Sequence, residues 1–165
     1  MISLKHILVA TDFGEASDAA LAYGRELARA FNADLEVVHV VENVLTRGFG
    51  AEGYVASYPE LQEEVEEAAN RQLTALLSEE DRRVLKATSV MLKSNTPAFA
   101  LVGYAREHNA DLIIMGTHGR GAIAHLLMGS VAERVVRTAP CPVLTVRHPE
   151  HEFLIPDALV AVAKA

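Results

Sequence analysis

Residues 112–133 read LIIMGTHGRGAIAHLLMGSVAE, and the order of residue types in this stretch decides the architecture. An apolar run, Leu112 to Met115, gives way to Gly116-Thr117-His118-Gly119-Arg120-Gly121, and a further glycine, Gly129, stands immediately before Ser130 and a helical pattern. A buried strand that feeds a glycine-rich loop and then a helix is half of a βαβ unit. Four more short runs rich in β-branched residues flank it: Ile7 to Ala10, Leu35 to Val41, Val90 to Leu92 and Val143 to Val146. Between them lie helical patterns. Ala20, Leu21, Gly24, Leu27, Ala28 and Phe31 line one helix face. A longer helix is expected from Pro59 to Ser78, with Val65, Ala68, Ala69, Leu73, Leu76 and Leu77 inward and Glu63, Glu64, Glu66 and Glu67 in water.

Thr96-Pro97 reads as an N-cap and first helical residue, opening a helix that ends near Asn109 and packs through Phe99, Leu101, Val102 and Ala105. Ser130 and Glu133 have capping-box spacing, which gives Ser130 a structural role at the start of the last helix. Strands too continuously apolar to face water on one side, alternating with helices, specify an α/β fold: a parallel sheet covered on both faces by right-handed crossovers. In such open sheets ligands sit at the carboxyl ends of the strands where the winding direction reverses, so the loops after Ala10 and Met115 are the first places to look.

With 165 residues, 50% hydrophobic and 22% charged, the chain is long and apolar enough for one domain with a complete core, and is neither a disordered nor a collagen-like polymer. A formal charge of −7 disfavours nucleic acid or an anionic membrane as the main partner. The single cysteine, Cys141, lies between Pro140 and Pro142 and fits a reducing compartment better than a disulfide scaffold. Met1 to Ala10 lacks a signal-peptide pattern, and Phe153 to Ala163 is too short and too interrupted by Pro156 and Asp157 to span a membrane. A cytoplasmic location without membrane attachment is the expectation. Residues 42–58, with three glycines, read equally as a mobile flap or as an insertion.

The loop after Met115 supplies what a phosphate chain requires: glycines that let the backbone approach, converging N–H groups and a helix amino end. His118 and Arg120 can add donors, and Ser130 a hydroxyl. Glycines alone also serve an ordinary tight turn. The spacing is neither the Walker pattern, which needs Gly-Lys-Ser/Thr, nor Gly-x-Gly-x-x-Gly, which disfavours a P-loop motor and a nicotinamide dehydrogenase.

The glycine spacing resembles the universal stress protein family, in its ATP-binding branch: Gly, two residues, Gly, nine residues, Gly, then Ser or Thr, matched by Gly116, Gly119, Gly129 and Ser130. Ile7-Leu8-Val9-Ala10-Thr11-Asp12, His39-Val40-Val41, Ala110 to Gly116 and Cys141 to Arg147 are similar to other landmarks of that family. The likeness covers residues 1–147 and leaves 148–165 as a C-terminal extension. It implies an open five-stranded sheet of order 3-2-1-4-5, Rossmann-like and similar to the adenine nucleotide alpha hydrolase architecture. It further implies ATP, with ADP or AMP as alternatives and Mg2+ accompanying the triphosphate. Asp12 would then hold the ribose hydroxyls and the backbone of Val40 would read the adenine edge. Ala10, Thr11 and Met115 would line the base pocket. Gly116, Gly119, Arg120, Gly129, Ser130 and Val131 would surround the phosphates.

Plainer readings stand beside these. Asp12 can cap the helix that begins near Glu15, His118 can simply fill the loop, and Met115 and Met128 can be packing residues. Asp12-Phe13-Gly14 spells a kinase metal motif, but no other kinase element accompanies it. His148 and His151 have a metal-compatible spacing without carboxylate or thiolate partners and read as solvated tail. No residue stands out as a base for phosphoryl transfer, so an ATP-holding stress-response or regulatory protein with slow hydrolysis or none is expected, acting through an unknown regulatory partner. The alternatives are a substrate-adenylating enzyme of related fold, whose first-strand motif is missing here, and an interaction protein with an empty pocket. Val143 to Arg147, as an apolar sheet edge, calls for cover by a second copy in a homodimer, and the tail from Phe153 is expected to pack on its own domain or on that partner.

Overall fold

The computed structural model describes residues 1–44, 58–117 and 128–148. The chain runs β1 (His6–Ala10), α1 (Glu15–Phe31), β2 (Asp34–Val41), α2 (Tyr58–Leu76), α3 (Glu79–Val84), β3 (Thr88–Lys93), α4 (Pro97–Glu107), β4 (Leu112–Gly116), α5 (Ser130–Thr138) and β5 (Val143–Val146). The strands form one parallel sheet, as their apolar runs predict, in the order β3-β2-β1-β4-β5 that the family resemblance implies.

Alternation within the strands sends successive side chains to opposite faces. Ile7 and Val9 of β1 join Leu35 and Val37 of β2, Ile114 of β4, Ala20, Leu21 and Ala28 of α1, and Leu73 and Leu77 in one core. Leu8, Val38, Ile113 and Met115 point the other way, into a second core with Ala98, Leu101, Val102 and Ala105 of α4 and Ala132 and Val135 of α5. Helix α1 can approach the sheet closely because residue 24 is glycine: a Cβ there would fall 2.5 Å from Val9 Cγ2. The helix stops at Asn32, whose left-handed φ of 51° lets its N–H reach back to the last carbonyls.

The helix expected over 59–78 is α2, and a further short helix follows it: Ser78 caps α3 by accepting from the Asp81 N–H while the Asp81 carboxylate accepts from the Ser78 N–H. Two local expectations are corrected. Pro97 does open α4, but Thr96 gives its N-terminus no side-chain cap; its hydroxyl meets Ser94 Oγ instead. Phe99 is exposed rather than packed, with the Arg134 guanidinium 5.3 Å above its ring.

An ion pair between the half-buried Arg25 and the buried Asp81 ties α1 to α3. The Arg25 guanidinium donates to both carboxylate oxygens of Asp81 at 3.0–3.2 Å and to the carbonyl of Leu76 at 2.7 Å, closing the end of α2. At the amino ends of the strands Glu36 accepts from Tyr104, Thr88 and His6. Burial, with the charge of Glu36 and its hydrogen bond added, pushes the Tyr104 phenol up to about 12. That network lies at the opposite end of the sheet from the loops that follow Ala10 and Met115.

Candidate functional site

β1 and β4 are neighbours in the sheet, with Ala10 opposite Met115, although about a hundred residues separate them along the chain. From β1 the chain leaves through α1 on one face, and from β4 it passes to α5 on the other. This is the reversal point at which an open sheet leaves a crevice.

The β1 side of the crevice is a turn held from several directions. The Thr11 N–H donates to Val38 O and so extends the ladder with β2. Thr11 Oγ1 accepts from the Phe13 N–H at 3.0 Å and meets Ser17 Oγ at 3.1 Å. The Gly14 N–H donates to Asp12 Oδ1 and to Ser17 Oγ, each at 3.1 Å. Asp12 thus shapes the turn before α1, while Gly14 is the residue that caps the helix. Phe13 takes a left-handed φ of 62°. His39, from β2, donates through Nδ1 to Thr11 O at 2.8 Å, and its ring lies 4.3 Å from that of Phe13.

On the β4 side, Gly116 is pressed against α1. A Cβ on it would stand 2.8 Å from Ala16 Cβ and 3.0 Å from the Ala16 carbonyl carbon, so the absence of a side chain serves helix packing here. Because backbone rather than a side-chain tip is in the way, Gly116→Ala is expected to cost about 1–3 kcal/mol, read as a lower urea midpoint. Met115 is buried in the second core. Thr117 donates its N–H to Val146 O, and its carbonyl accepts from the Gly129 N–H at 2.7 Å. That last bond draws the start of α5 to the end of β4.

The helix begins at Ser130, as expected, but the capping box does not form. Gly129 is the N-cap, with its carbonyl accepting from the Glu133 N–H, and no side-chain cap closes the helix start. The Glu133 carboxylate pairs with Arg137. The N–H groups of Ser130, Val131 and Ala132 have no acceptor within the helix, and the positive end of its dipole adds to them. Ser130 and Val131 are exposed. Gly119 and Arg120, with His118 and Gly121, lie outside the described residues, as do most of residues 42–58, His151 and the tail.

Val40, which the resemblance implies would read an adenine edge, lies on β2. Val40 is half-buried opposite Leu92 of β3. Beyond Val41, the buried Gln62 of α2 accepts from the Val44 N–H at 2.7 Å and donates to Glu42 O and Glu66 Oε1, so the chain leaves the sheet along a fixed line. Its ion pair with Lys93 and hydrogen bond from Gln62 hold Glu66 below the usual carboxylate range. His148 lies 3.6 Å from Glu15, and no group of three or more His, Cys, Asp or Glu among the described residues is placed to hold a metal ion. Sequence reading passed over Ser17 and Gln62, and took His39 only as part of a strand-end landmark. Their only signal was a polar side chain set among buried apolar ones.

Known proteins give a consistent comparison. The family model described as "Universal stress protein family" matches residues 3–147. A universal stress protein of Methanocaldococcus jannaschii is 34% identical over 148 residues, spanning 90% of this chain and 85% of its own. A crystal structure of a universal stress protein family member from Burkholderia pseudomallei is 33% identical, with a TM-score of 0.68, 87% of this chain and 96% of that one being covered. The universal stress protein of Archaeoglobus fulgidus in complex with dAMP shares the fold at 22% identity and a TM-score of 0.61, with 88% and 99% coverage.

Proposed function

Because this chain belongs to the universal stress protein family, we propose that it holds ATP in the crevice between β1 and β4 and acts as a nucleotide-dependent stress-response or regulatory protein. The observation that carries this reading is the amino end of α5, which no side-chain cap among the described residues closes, tied by the Gly129–Thr117 bond to the end of the strand next to β1. A row of N–H groups and a positive dipole end, held at the end of the strand next to the one that carries the Asp12 turn, fit a polyphosphate on one side and a ribose on the other. That a protein of the same fold is found with dAMP supports an adenine nucleotide as the ligand class.

In this reading the amides of Gly129, Ser130 and Val131 and the Ser130 hydroxyl hold the phosphates, with Gly116, Gly119 and Arg120 completing the seat. Asp12 accepts from the ribose hydroxyls. Ala10, Thr11 and Met115 form the floor under the base, and Val40 offers its backbone to the adenine edge. Mg2+ would arrive with the triphosphate and neutralise part of its charge. Phosphoryl transfer to water needs a positioned base, and the carboxylate of this crevice, Asp12, is engaged with the turn and the sugar. Hydrolysis is therefore slow or absent, and the output is a change of surface read by a regulatory protein. Two copies join through β5, which among the described residues pairs only with β4 and leaves its outer edge for a partner. The extension from residue 148 packs on the domain or on that second copy. The single Cys141, half-buried and with its thiol pushed up by burial, suits the reducing cytoplasm.

The deciding experiment is a mass spectrum of the small molecules released when freshly purified protein is denatured, paired with thermal shifts in added nucleotide. Release of ATP, ADP or AMP is expected, with a stabilisation of about 2.7 kcal/mol when ATP is supplied at a hundred times its Kd. Absence of any adenine nucleotide, together with no shift at millimolar ATP, would overturn the proposal and leave an interaction protein with an empty pocket. Pyrophosphate release with carboxylic acids would instead mark an adenylating enzyme.

A further inference from the structure

We propose that His39 is a positioning residue for the nucleotide ribose, gripping both chain neighbours of Asp12 and so fixing where that carboxylate points. The inference rests on the nucleotide reading above and deepens it. Thr11 precedes Asp12 and Phe13 follows it. The Thr11 carbonyl is an acceptor only, so the 2.8 Å contact requires a proton on His39 Nδ1 and fixes the tautomer of the neutral ring. The same imidazole lies against the Phe13 ring, with centroids 4.3 Å apart and planes inclined by 38°. Asp12 is therefore bracketed by one side chain from the adjacent strand.

Phe13 shows why the bracket matters. Its left-handed φ of 62° is unfavourable for a residue with a bulky side chain and persists where the surroundings over-determine it. The Phe13 N–H is taken by Thr11 Oγ1, the next N–H by Asp12 Oδ1 and Ser17 Oγ, and the Phe13 ring by His39. An apolar residue at position 39 would pack on Phe13 equally well but would give Thr11 O no donor. The β2 strand then has two duties at adjacent positions: Val40 presents its backbone to the base while His39 sets the turn that meets the sugar. A carboxylate displaced by even 1 Å loses most of a two-hydroxyl contact.

The test uses the full-length protein and two ligands, ATP and 2′,3′-dideoxy-ATP, titrated calorimetrically into wild type, His39→Leu, His39→Asn, His39→Gln, Asp12→Ala and the His39→Leu/Asp12→Ala double variant. Asn places an N–H where Nδ1 stands; Gln places its amide where Nε2 stands. Wild type is expected to prefer ATP about tenfold. His39→Leu and His39→Gln should lose that preference, binding the dideoxy compound within twofold of wild type, and the double variant should be no weaker than Asp12→Ala alone. His39→Asn should recover most of the preference. Retained ATP preference in a folded His39→Leu or His39→Gln, or equal loss of both ligands in all three His39 variants, would overturn the proposal while leaving ATP binding intact. Wild type that binds ATP without discriminating the dideoxy form would remove the ribose role of Asp12, and this inference with it. Wild type that binds neither would overturn the nucleotide reading itself.

Discussion

Ser130→Asp is expected to weaken ATP binding a hundredfold or more while leaving the melting temperature of the nucleotide-free protein unchanged or slightly raised. Ser130 is the first residue of α5, exposed, and makes no capping bond. A carboxylate at the amino end of a helix interacts favourably with the dipole, by about 0.3–1 kcal/mol, which offsets the few tenths of a kcal/mol that the like charge of Glu133 costs. Facing a triphosphate, the same carboxylate is a like charge at short range, a repulsion of roughly 4 kcal/mol at 4 Å for partly exposed groups. A hundredfold loss corresponds to about 2.8 kcal/mol, within that reach. Ser130→Asn, similar in size and uncharged, should stay within a few-fold of wild type. The deficit of the Asp variant should shrink as salt rises, because screening acts on this repulsion. Titration calorimetry at low and high salt reads both effects, and an Asp variant that binds ATP within threefold of wild type would remove α5 from the phosphate site.

Asp81→Ala should lower unfolding stability by about 3–5 kcal/mol, the range found when one partner of a buried pair is removed and the other is left uncompensated. Its side chain is only 4% exposed, against 27% for Arg25. Loss of the carboxylate strands the guanidinium beneath α3 and also unmakes the N-terminal cap shared with Ser78. The Arg25→Met/Asp81→Leu double variant, which removes both charges, should recover a large part of the loss. Burial pushes the Asp81 carboxyl up, yet the hydrogen bonds from Arg25 and Ser78 outweigh it and hold the group below its ordinary 3.8. A carboxylate held low in the folded state contributes stability that is present above the unfolded value and disappears as pH falls through the lower folded one. The gap between wild type and Asp81→Ala in urea should therefore be full at neutral pH and narrow below about pH 4. A neutral-pH difference under 1 kcal/mol would contradict this account.

The parallel sheet was legible because each strand is an apolar run that makes sense only when covered on both faces. The crossover helices α1 and α2 were legible because they follow a period that a strand cannot satisfy. Less visible were features that depend on which of two polar groups wins a contact. Ser130 has the spacing of a capping residue, but the chain turns one residue earlier, and Gly129 takes the cap position with its own backbone. Ser78 and Asp81 carry the same signal, but the apolar period that marks α2 stops before them, and the six-residue α3 is too short to show a period of its own. Gly116 matched a phosphate-loop pattern, and its immediate neighbour is Ala16 of α1, a contact between residues a hundred positions apart that no local window contains. His39 is a polar residue between valines at the carboxyl end of β2, and its significance comes from the turn after β1, which only the parallel pairing brings beside it.

Leu8 and Val9 are consecutive in the chain but feed separate interiors, one beneath α4 and α5 and one beneath α1 and α2. Substitutions on opposite sides of the sheet share few neighbours, and distant changes of this kind add to within about 0.5 kcal/mol. Substitutions beneath α1 and α2 can thus retune thermal tolerance one residue at a time without disturbing the seat of α5, provided that they spare Ala16 and Ser17, which touch Gly116 and the turn after β1.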